Sequence, residues 1–491
     1  MISEVRLEGP DAARFPWLVA TVKPYLMQCA GVDGLNIILS ALNDELVAQG
    51  LATSKVTLAA QNLSGGILQV RLHAGRVESV RFEDKASEWG TWQNVFLPMT
   101  GDVLDVRSLE QGVEQMKRLP SQNVSTRIEP GTTADTSVVV IERTQGSLGE
   151  RIRGGVTLDN SGSQALGRPQ LSANLALDNP FGLNDIINVG LSSNLQDLST
   201  EHRSQSANLS YSIPVGYSTF SLNASASKFA QSVQLTTEQV LSSGDSKSVE
   251  ARWQHTWLRT SSSKFGTYVA ASTRRAHSYI NDLELIVQRR RTSFLETGVS
   301  YKQLFEKTSV DVDLGVRRGL GWNNAQEDLA ANPDGLTLRP KIWTLNASVN
   351  RSLEFADRRW NASSTVRAQY TKNATLSIDQ ISIGGRGSVR GFDGDAVLLA
   401  ESGYVWRNEL NTPIQFLQGV DTQLVAALDL GRVFGASDVN LVGQKLAGMA
   451  FGLRGSTRRF QFEVFLATPL YRPAGFITRK LNPYLSATYA F

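Results

Sequence analysis

From Arg151 to Phe491 the side chains alternate between apolar and polar at a step of two, and helical spacing is absent. Successive side chains of a strand point to opposite faces, so this period dictates β-structure with one apolar and one polar face. In AALDLGRVF, Ala426, Leu428 and Leu430 share one face, and Ala427, Asp429 and Gly431 the other. In SVDVDLGV, Val310, Val312, Leu314 and Val316 oppose Asp311 and Asp313. A soluble sandwich alternates too, with its apolar face in a core. Three features favour a membrane barrel with the apolar face outward. The alternation runs to the chain end without a helix. Aromatic residues sit near strand ends (Trp253 and Trp257, Tyr404 and Trp406, Phe460 and Phe462), as interfacial girdles do. Connections alternate between short (IPVGYS, LFEKT, FADRR) and long (NDLELIVQRRR, LGWNNAQEDLAANPDGLTLRP), the expected periplasmic turns and outer loops.

The expected fold is therefore mainly β, with a 16-stranded antiparallel transmembrane barrel. Strands are expected to start near Arg151, Arg168, Asp185, Arg203, Thr219, Val249, Phe265, Thr292, Ser309, Lys341, Trp360, Ser402, Thr422, Lys445, Phe460 and Pro483. An even count returns both barrel ends to the periplasmic side. It places residues 371–401 between the eleventh and twelfth strands, in the sixth outer loop. The last strand, PYLSATYAF, turns Leu485, Ala487, Tyr489 and Phe491 to the outward face.

No run of 18 apolar residues exists, so no transmembrane helix is expected, which does not bear on a barrel. The 49 Lys and Arg nearly balance the 46 Asp and Glu, for a formal charge of +3. That balance argues against a nucleic-acid partner, which calls for a basic excess. Four scattered histidines offer no metal-ligand spacing. The single cysteine, Cys29, reads as a small buried side chain. The opening MISEVRLEGPDAARF lacks a basic segment followed by an apolar one, so a secretory signal is not expected within this sequence.

Residues 1–146 read differently. ISEVRLEG is a strand, PWLVATVKPYL and GLNIILSALNDELVAQGL are helical, and SKVTLAAQ and GILQVRLHAG are strands. The order then repeats: strand RVESVRFED, two helical segments between Gly90 and Leu119, and strands STRIEPG and SVVVIERTQG. Two β-α-α-β-β modules are expected, at 1–74 and 75–146, ahead of a barrel at 147–491. A nucleotide-binding βαβ unit is excluded, because no strand leads into a glycine-rich helix start.

The stretch SIGGRGSVRGFDGD, Ser382–Asp395, carries the densest glycine cluster. It lacks the GK[ST] ending of a phosphate loop and the helix that would follow one. Asp311 and Asp313 share one strand face and read as lumen polarity, not acid–base catalysts. The triple arginine at 289–291 reads as a solvated outer-loop patch near lipopolysaccharide phosphates. No catalytic triad, metal set or cofactor motif is legible, so neither an enzyme nor a cofactor is expected.

Two β-α-α-β-β modules, sixteen strands and VRGF in the sixth outer loop together resemble the two-partner secretion transporters, the TpsB family of the Omp85 superfamily. QNLSGGILQVRLHAGRVESV, LDNPFGLND, YVWRNELNTP, GGRGSVRGF and LDLGRVFG carry the likeness across the chain. The resemblance implies that the modules are periplasmic POTRA domains. They would capture an unfolded exoprotein (a haemolysin, adhesin or contact-dependent inhibition toxin) by its amino-terminal secretion domain, and the barrel would export it. It implies a functional loop motif of Gly384, Gly385, Val389, Arg390, Gly391 and Phe392, with Arg390 reaching Asp429 inside the barrel. The alternation puts Asp429 on the inward face independently. Such a pair is worth about 3–5 kcal/mol to break if desolvated and about 0–1 kcal/mol in a wet lumen. Tyr489 and Phe491 would form the closing-strand signal read by the barrel assembly machinery, and outer-membrane lipids would surround the barrel. Family members also carry a plug helix ahead of the first POTRA domain, whereas this sequence opens at or near the first POTRA strand. An assembly factor of the same superfamily is the alternative function. SKVTLAAQ, STRIEP and SVVVIERT are candidate POTRA edge strands that would accept an extended client.

Overall fold

A computed structural model describes residues 1–29, 31–83, 89–96, 100–195, 201–234, 239–328, 335–416 and 418–491. The chain divides into two compact units, the first being Met1–Glu150 with Phe181–Asp185 and Pro214–Tyr217.

In the first unit, β1 (Glu4–Glu8) leads through α1 (Pro16–Thr21) and α2 (Val32–Ala48) to β2 (Lys55–Thr57) and β3 (Ile67–His73). Leu35, Ile38, Leu39, Leu42 and Leu46 of α2 recur every three or four residues and face the sheet, burying Ile38, Leu42 and Leu46 against Leu68 and Val70. The helix stops at Gly50, whose φ of +88° is the left-handed conformation glycine adopts most easily. The sheet order is β1-β3-β2. The second module repeats it with β4 (Arg76–Phe82), α3 (Val106–Lys117), β5 (Gln122–Pro130) and β6 (Thr136–Gln145), ordered β4-β6-β5. The Asp105 side chain caps α3 by accepting the Arg107 N–H at 2.9 Å. Where a first helix is expected, residues 91–96 form turns, from which Val95 and Phe96 still enter the core, and 97–99 lie outside the described residues. β6 pairs on both sides, so SVVVIERT is a central strand and cannot accept a client, while β2 and β5 are sheet edges. Cys29 is exposed, not buried, because it lies in the connection ahead of α2.

The second unit is a closed antiparallel barrel. It begins with β7 (Ile152–Asp159), β8 (Gln170–Asp178), β9 (Ile186–Asn194), β10 (His202–Val215), β11 (Ser218–Gln234), β12 (Gln239–Arg259) and β13 (Ser263–Ile280). A two-residue ribbon, β14 (Leu283–Glu284), precedes β15 (Arg290–Leu304), β16 (Thr308–Leu320), β17 (Lys341–Phe355) and β18 (Arg358–Tyr370). Residues 371–401 then form a connection that holds its own hairpin, β19 (Ile381–Ile383) with β20 (Leu398–Ala400). The wall resumes with β21 (Ser402–Ile414), β22 (Asp421–Phe434), β23 (Lys445–Ser456), β24 (Phe460–Tyr471) and β25 (Asn482–Ala490). Setting aside β14 and the β19–β20 hairpin, sixteen strands close the ring, with β25 against β7. Beyond β25, Phe491 and Gly154 exchange backbone hydrogen bonds of 3.0 Å, and Tyr489 and Phe491 are exposed on the outer surface.

Strand starts fall within a few residues of expectation, except that β12 begins at Gln239, ten residues before Val249. The span QVLSSGDSKS carries no apolar alternation because at 21 residues β12 is twice the length that crosses a bilayer, about 9–11 residues, and its outer half is wet on both faces.

Candidate functional site: a loop fastened inside the barrel

The connection 371–401 folds against the inner face of the wall. Ile381, Ile383, Val389, Phe392 and Leu398 bury themselves with Val405, Val433 and Leu446 of β21, β22 and β23. Phe392 is fully buried and meets Phe476 edge-on at 5.6 Å between ring centroids. Ser388 closes the turn: its hydroxyl accepts the Gly384 N–H at 3.1 Å, and its N–H donates to the Gly385 carbonyl at 2.9 Å.

Arg390 makes five hydrogen bonds into the wall. Its backbone N–H and Nε donate to Asp429 Oδ2 at 2.9 and 2.7 Å, and Nη2 to Oδ1 at 2.7 Å. Nη1 donates to Glu409 Oε2 at 2.8 Å, and Nη2 also to the Asn408 carbonyl at 3.1 Å. The planar guanidinium fork is what permits this bidentate grip. The Arg390 side chain is 9% exposed and that of Asp429 0%, so the pair is desolvated, not wet.

The wall is shaped for this contact. Asp429 is flanked in register by Arg407 on β21 and by Gly448 on β23. A β-carbon on Gly448 would sit 1.9 Å from the Arg390 carbonyl oxygen. The β23–β24 register slips between Ala447 and Gly448, so the wall bulges where the loop backbone touches it. From the loop side, Gly391 (φ +113°) comes so near that a β-carbon would lie 2.6 Å from the Thr468 carbonyl oxygen. Tyr484 holds the same turn, accepting the Gly391 N–H at 3.0 Å and donating to the Phe392 carbonyl at 2.8 Å, while Asn482 donates to the Gly391 carbonyl at 2.7 Å.

The ion pair belongs to a longer chain of charge. Glu409 also accepts from Arg454 at 3.1 Å; Arg454 donates to Glu463 at 2.8 Å; Glu463 accepts from Arg386 of the loop at 3.0 Å. Sequence reasoning named Arg390, Asp429 and the loop glycines but missed Glu409, Arg454, Glu463, Tyr484, Asn482 and Gly448. All six lie on inward strand positions, so alternation offered a signal for each.

A second fastening was missed as well. Asp379, 4% exposed, precedes β19 and accepts from Arg274 of β13 at 3.2 Å and from Arg317 of β16 at 3.0 Å. Its backbone carbonyl takes Gln369 Nε2 at 2.7 Å. At the loop's outer end, Asp395 pairs with Arg168 and accepts the Gln164 N–H at 2.7 Å. Beside the loop lies a cavity of about 740 Å³ whose lining includes Arg367, Arg386, Arg407, Asp159 and Asp393. A second cavity is lined by Asp311 and Asp313 with Arg367 and Arg407, so both carboxylates line polar space within the barrel.

Residues 135–455 match the family described as haemolysin secretion/activation protein ShlB/FhaC/HecB. The chain belongs to that family. Residues 1–75 match a ShlB-type POTRA domain and 76–130 a POTRA domain. The outer membrane transporter CdiB-2 of Burkholderia pseudomallei is 35% identical over 97% of this chain and 81% of its own length. The hemolysin transporter protein ShlB of Serratia marcescens is 26% identical over 88% of this chain and 75% of its own. The solved structure of CdiB from Escherichia coli superposes with a TM-score of 0.90 at 27% identity, covering 100% of this chain and 90% of that one. This ShlB/FhaC/HecB protein is thus an outer-membrane transporter of two-partner secretion, with its POTRA domains in the periplasm.

Proposed function

We propose that the transporter takes a large unfolded exoprotein from the periplasm by the edge strands of its POTRA sheets and passes it through the barrel. The loop fastened by Arg390 to Asp429 supports the barrel's secretion-competent form. The observation that carries this reading is the desolvated Arg390–Asp429–Glu409 cluster on the inner wall, beside polar space lined by charged side chains. An extended client gains main-chain hydrogen bonds by lying along β2 or β5, whose outer edges are unpaired in the sheet order. Export draws direction from folding of the client outside the cell. Domain limits of 1–74, 75–146 and 147–491 divide these tasks between capture and passage. Tyr489 and Phe491, on the strand that closes the ring, serve as the signal by which the barrel assembly machinery inserts the protein.

The test is export of a co-expressed cognate exoprotein by Arg390→Ala, Asp429→Ala and the charge-swapped Arg390→Asp/Asp429→Arg variant. Both single variants are expected to lose most export at normal barrel levels. Normal export by both would overturn the role given to the pair.

A further inference from the structure

The outer surface of the barrel carries like charges in direct cross-strand register. Lys247 of β12 lies opposite Arg275 of β13, and Arg275 lies opposite Arg291 of β15. On the next strand Arg318 of β16, in register with Leu295 and so four residues along β15 from Arg291, lies opposite Lys341 of β17. All five share the outward parity of exposed apolar residues on their own strands: Val249 and Trp253 with Lys247, Val269 with Arg275, Val299 and Tyr301 with Arg291, Leu314 with Arg318, Trp343 with Lys341. Opposed side chains on a sheet have Cβ atoms about 4.5–5.5 Å apart, and like charges so placed repel. Among the described residues no carboxylate bridges them. Asp245, the acid on the same face, is already engaged by His277 at 3.3 Å and Tyr279 at 3.4 Å. The Nε of Arg291 is buried and has no hydrogen-bond partner among the described residues. The neighbouring Arg289, by contrast, is satisfied by Glu284 at 2.7 and 2.8 Å, so the triple arginine is not one patch.

The height of the row is informative. Leu258 and Trp257 are exposed near the short turn that ends β12. From Leu258 to Lys247, about 3.3 Å per residue at a tilt near 40° gives a rise of about 28 Å, close to the apolar band of an outer-membrane barrel. Short turns face the periplasm, so the row stands where the band meets the outer leaflet.

We propose that Lys247, Arg275 and Arg291 form a binding site for a doubly phosphorylated glycolipid headgroup of the outer leaflet, with Arg318 and Lys341 flanking it four residues further along the wall. A phosphate between Lys247 and Arg275 removes their repulsion, and Arg291 carries the next positive charge in register with Arg275. The inference rests on the outer-membrane location alone, not on the role given to Arg390.

The full chain, purified in neutral detergent, is titrated with bis-phosphorylated lipid A and retained lipid is read by native mass spectrometry. One lipid A per barrel is expected. Lys247→Gln/Arg275→Gln is expected to weaken retention at least tenfold, and Lys247→Arg/Arg275→Lys to keep it. Dephosphorylated lipid A and phosphatidylglycerol are expected to bind at least tenfold more weakly than bis-phosphorylated lipid A, and inorganic phosphate not to displace it. Heat-modifiable mobility on gels verifies that each variant remains a closed barrel. Equal retention by the folded Gln double variant would overturn the site, as would equal retention of phosphatidylglycerol.

Discussion

The loop 371–401 is fastened at two places, and the two have opposite polarity. At Arg390 the loop sends a cation into an acidic wall, Asp429 and Glu409 on β22 and β21. At Asp379 it sends an anion into a basic wall, Arg274 and Arg317 on β13 and β16. A loop seated the other way round would place cation against cation. The reversed signs therefore specify one seating among the ways a glycine-rich loop can fill a barrel. The two also differ in depth. Arg390 is 9% exposed and uses a bidentate fork, whereas Arg274 and Arg317 are 25% and 22% exposed and reach a single oxygen. Strength should follow burial and geometry, not the number of charges.

The largest effect should come from Asp429→Ala. It removes three of the five hydrogen bonds of Arg390 and leaves a buried guanidinium with only Glu409 and a carbonyl. Breaking such a pair costs about 3–5 kcal/mol. Urea titration of the barrel in vesicles should register that loss. If Asp429→Ala and Asp379→Ala prove equally costly, depth is not what separates the two fastenings.

Gly448→Ala comes next. It changes no charge but drives a β-carbon to within 1.9 Å of the Arg390 carbonyl oxygen, so loop or wall must shift. Overpacking of this kind costs about 1–3 kcal/mol. Cleavage by trypsin after Arg386 should accelerate, because the loop leaves its seat. Unchanged cleavage would mean the bulge between Ala447 and Gly448 absorbs the added carbon, and the wall is not shaped for the loop.

These two sites differ in how far the sequence discloses them. Arg390 and Asp429 were legible because VRGF is specific and because Asp429 interrupts an alternating strand on its inward phase. Gly448 carried a weaker signal, a glycine on the same phase of LAGMAFG. Asp379 carried none of its own. It lies in SIDQ, outside any periodic segment, and its partners are 105 and 62 residues away. Only closure of the ring brings β13 and β16 to it. The early start of β12 and the turns at residues 91–96, where a helix is expected, were not legible either. Alternation marks a strand only where one face is apolar, and Val95 and Phe96 fill their core from turns as well as from a helix.

Asp379→Asn tests the shallower fastening. The amide oxygen still accepts from both arginines, whose charge keeps those hydrogen bonds charge-assisted, but the ionic attraction is gone, and ion pairs whose arginines reach solvent contribute about 0–1 kcal/mol. A loss of about 1 kcal/mol in the same urea titration is expected, with trypsin cleavage rising less than for Gly448→Ala. A loss as large as that of Asp429→Ala would place the stronger fastening at the other end of the loop.

The smallest effect belongs to the same chemistry without burial. On the second POTRA sheet Arg127 lies 3.1 Å from Glu83, 3.0 Å from Glu129 and 3.6 Å from Glu142, more carboxylates than Arg390 meets, yet its side chain is 50% exposed. Exposed pairs contribute about 0–1 kcal/mol, and salt screens them. Arg127→Ala in the full chain should move the thermal midpoint of the POTRA unit by no more than about 4 °C in dilute buffer, since about 1 kcal/mol shifts a domain of this size by about 2–4 °C. Added salt should close the gap further, while the loss caused by Asp429→Ala persists at the same ionic strength. A salt-resistant loss at Arg127 as large as that at Asp429 would show that the count of paired charges, not their removal from water, sets the strength of these contacts.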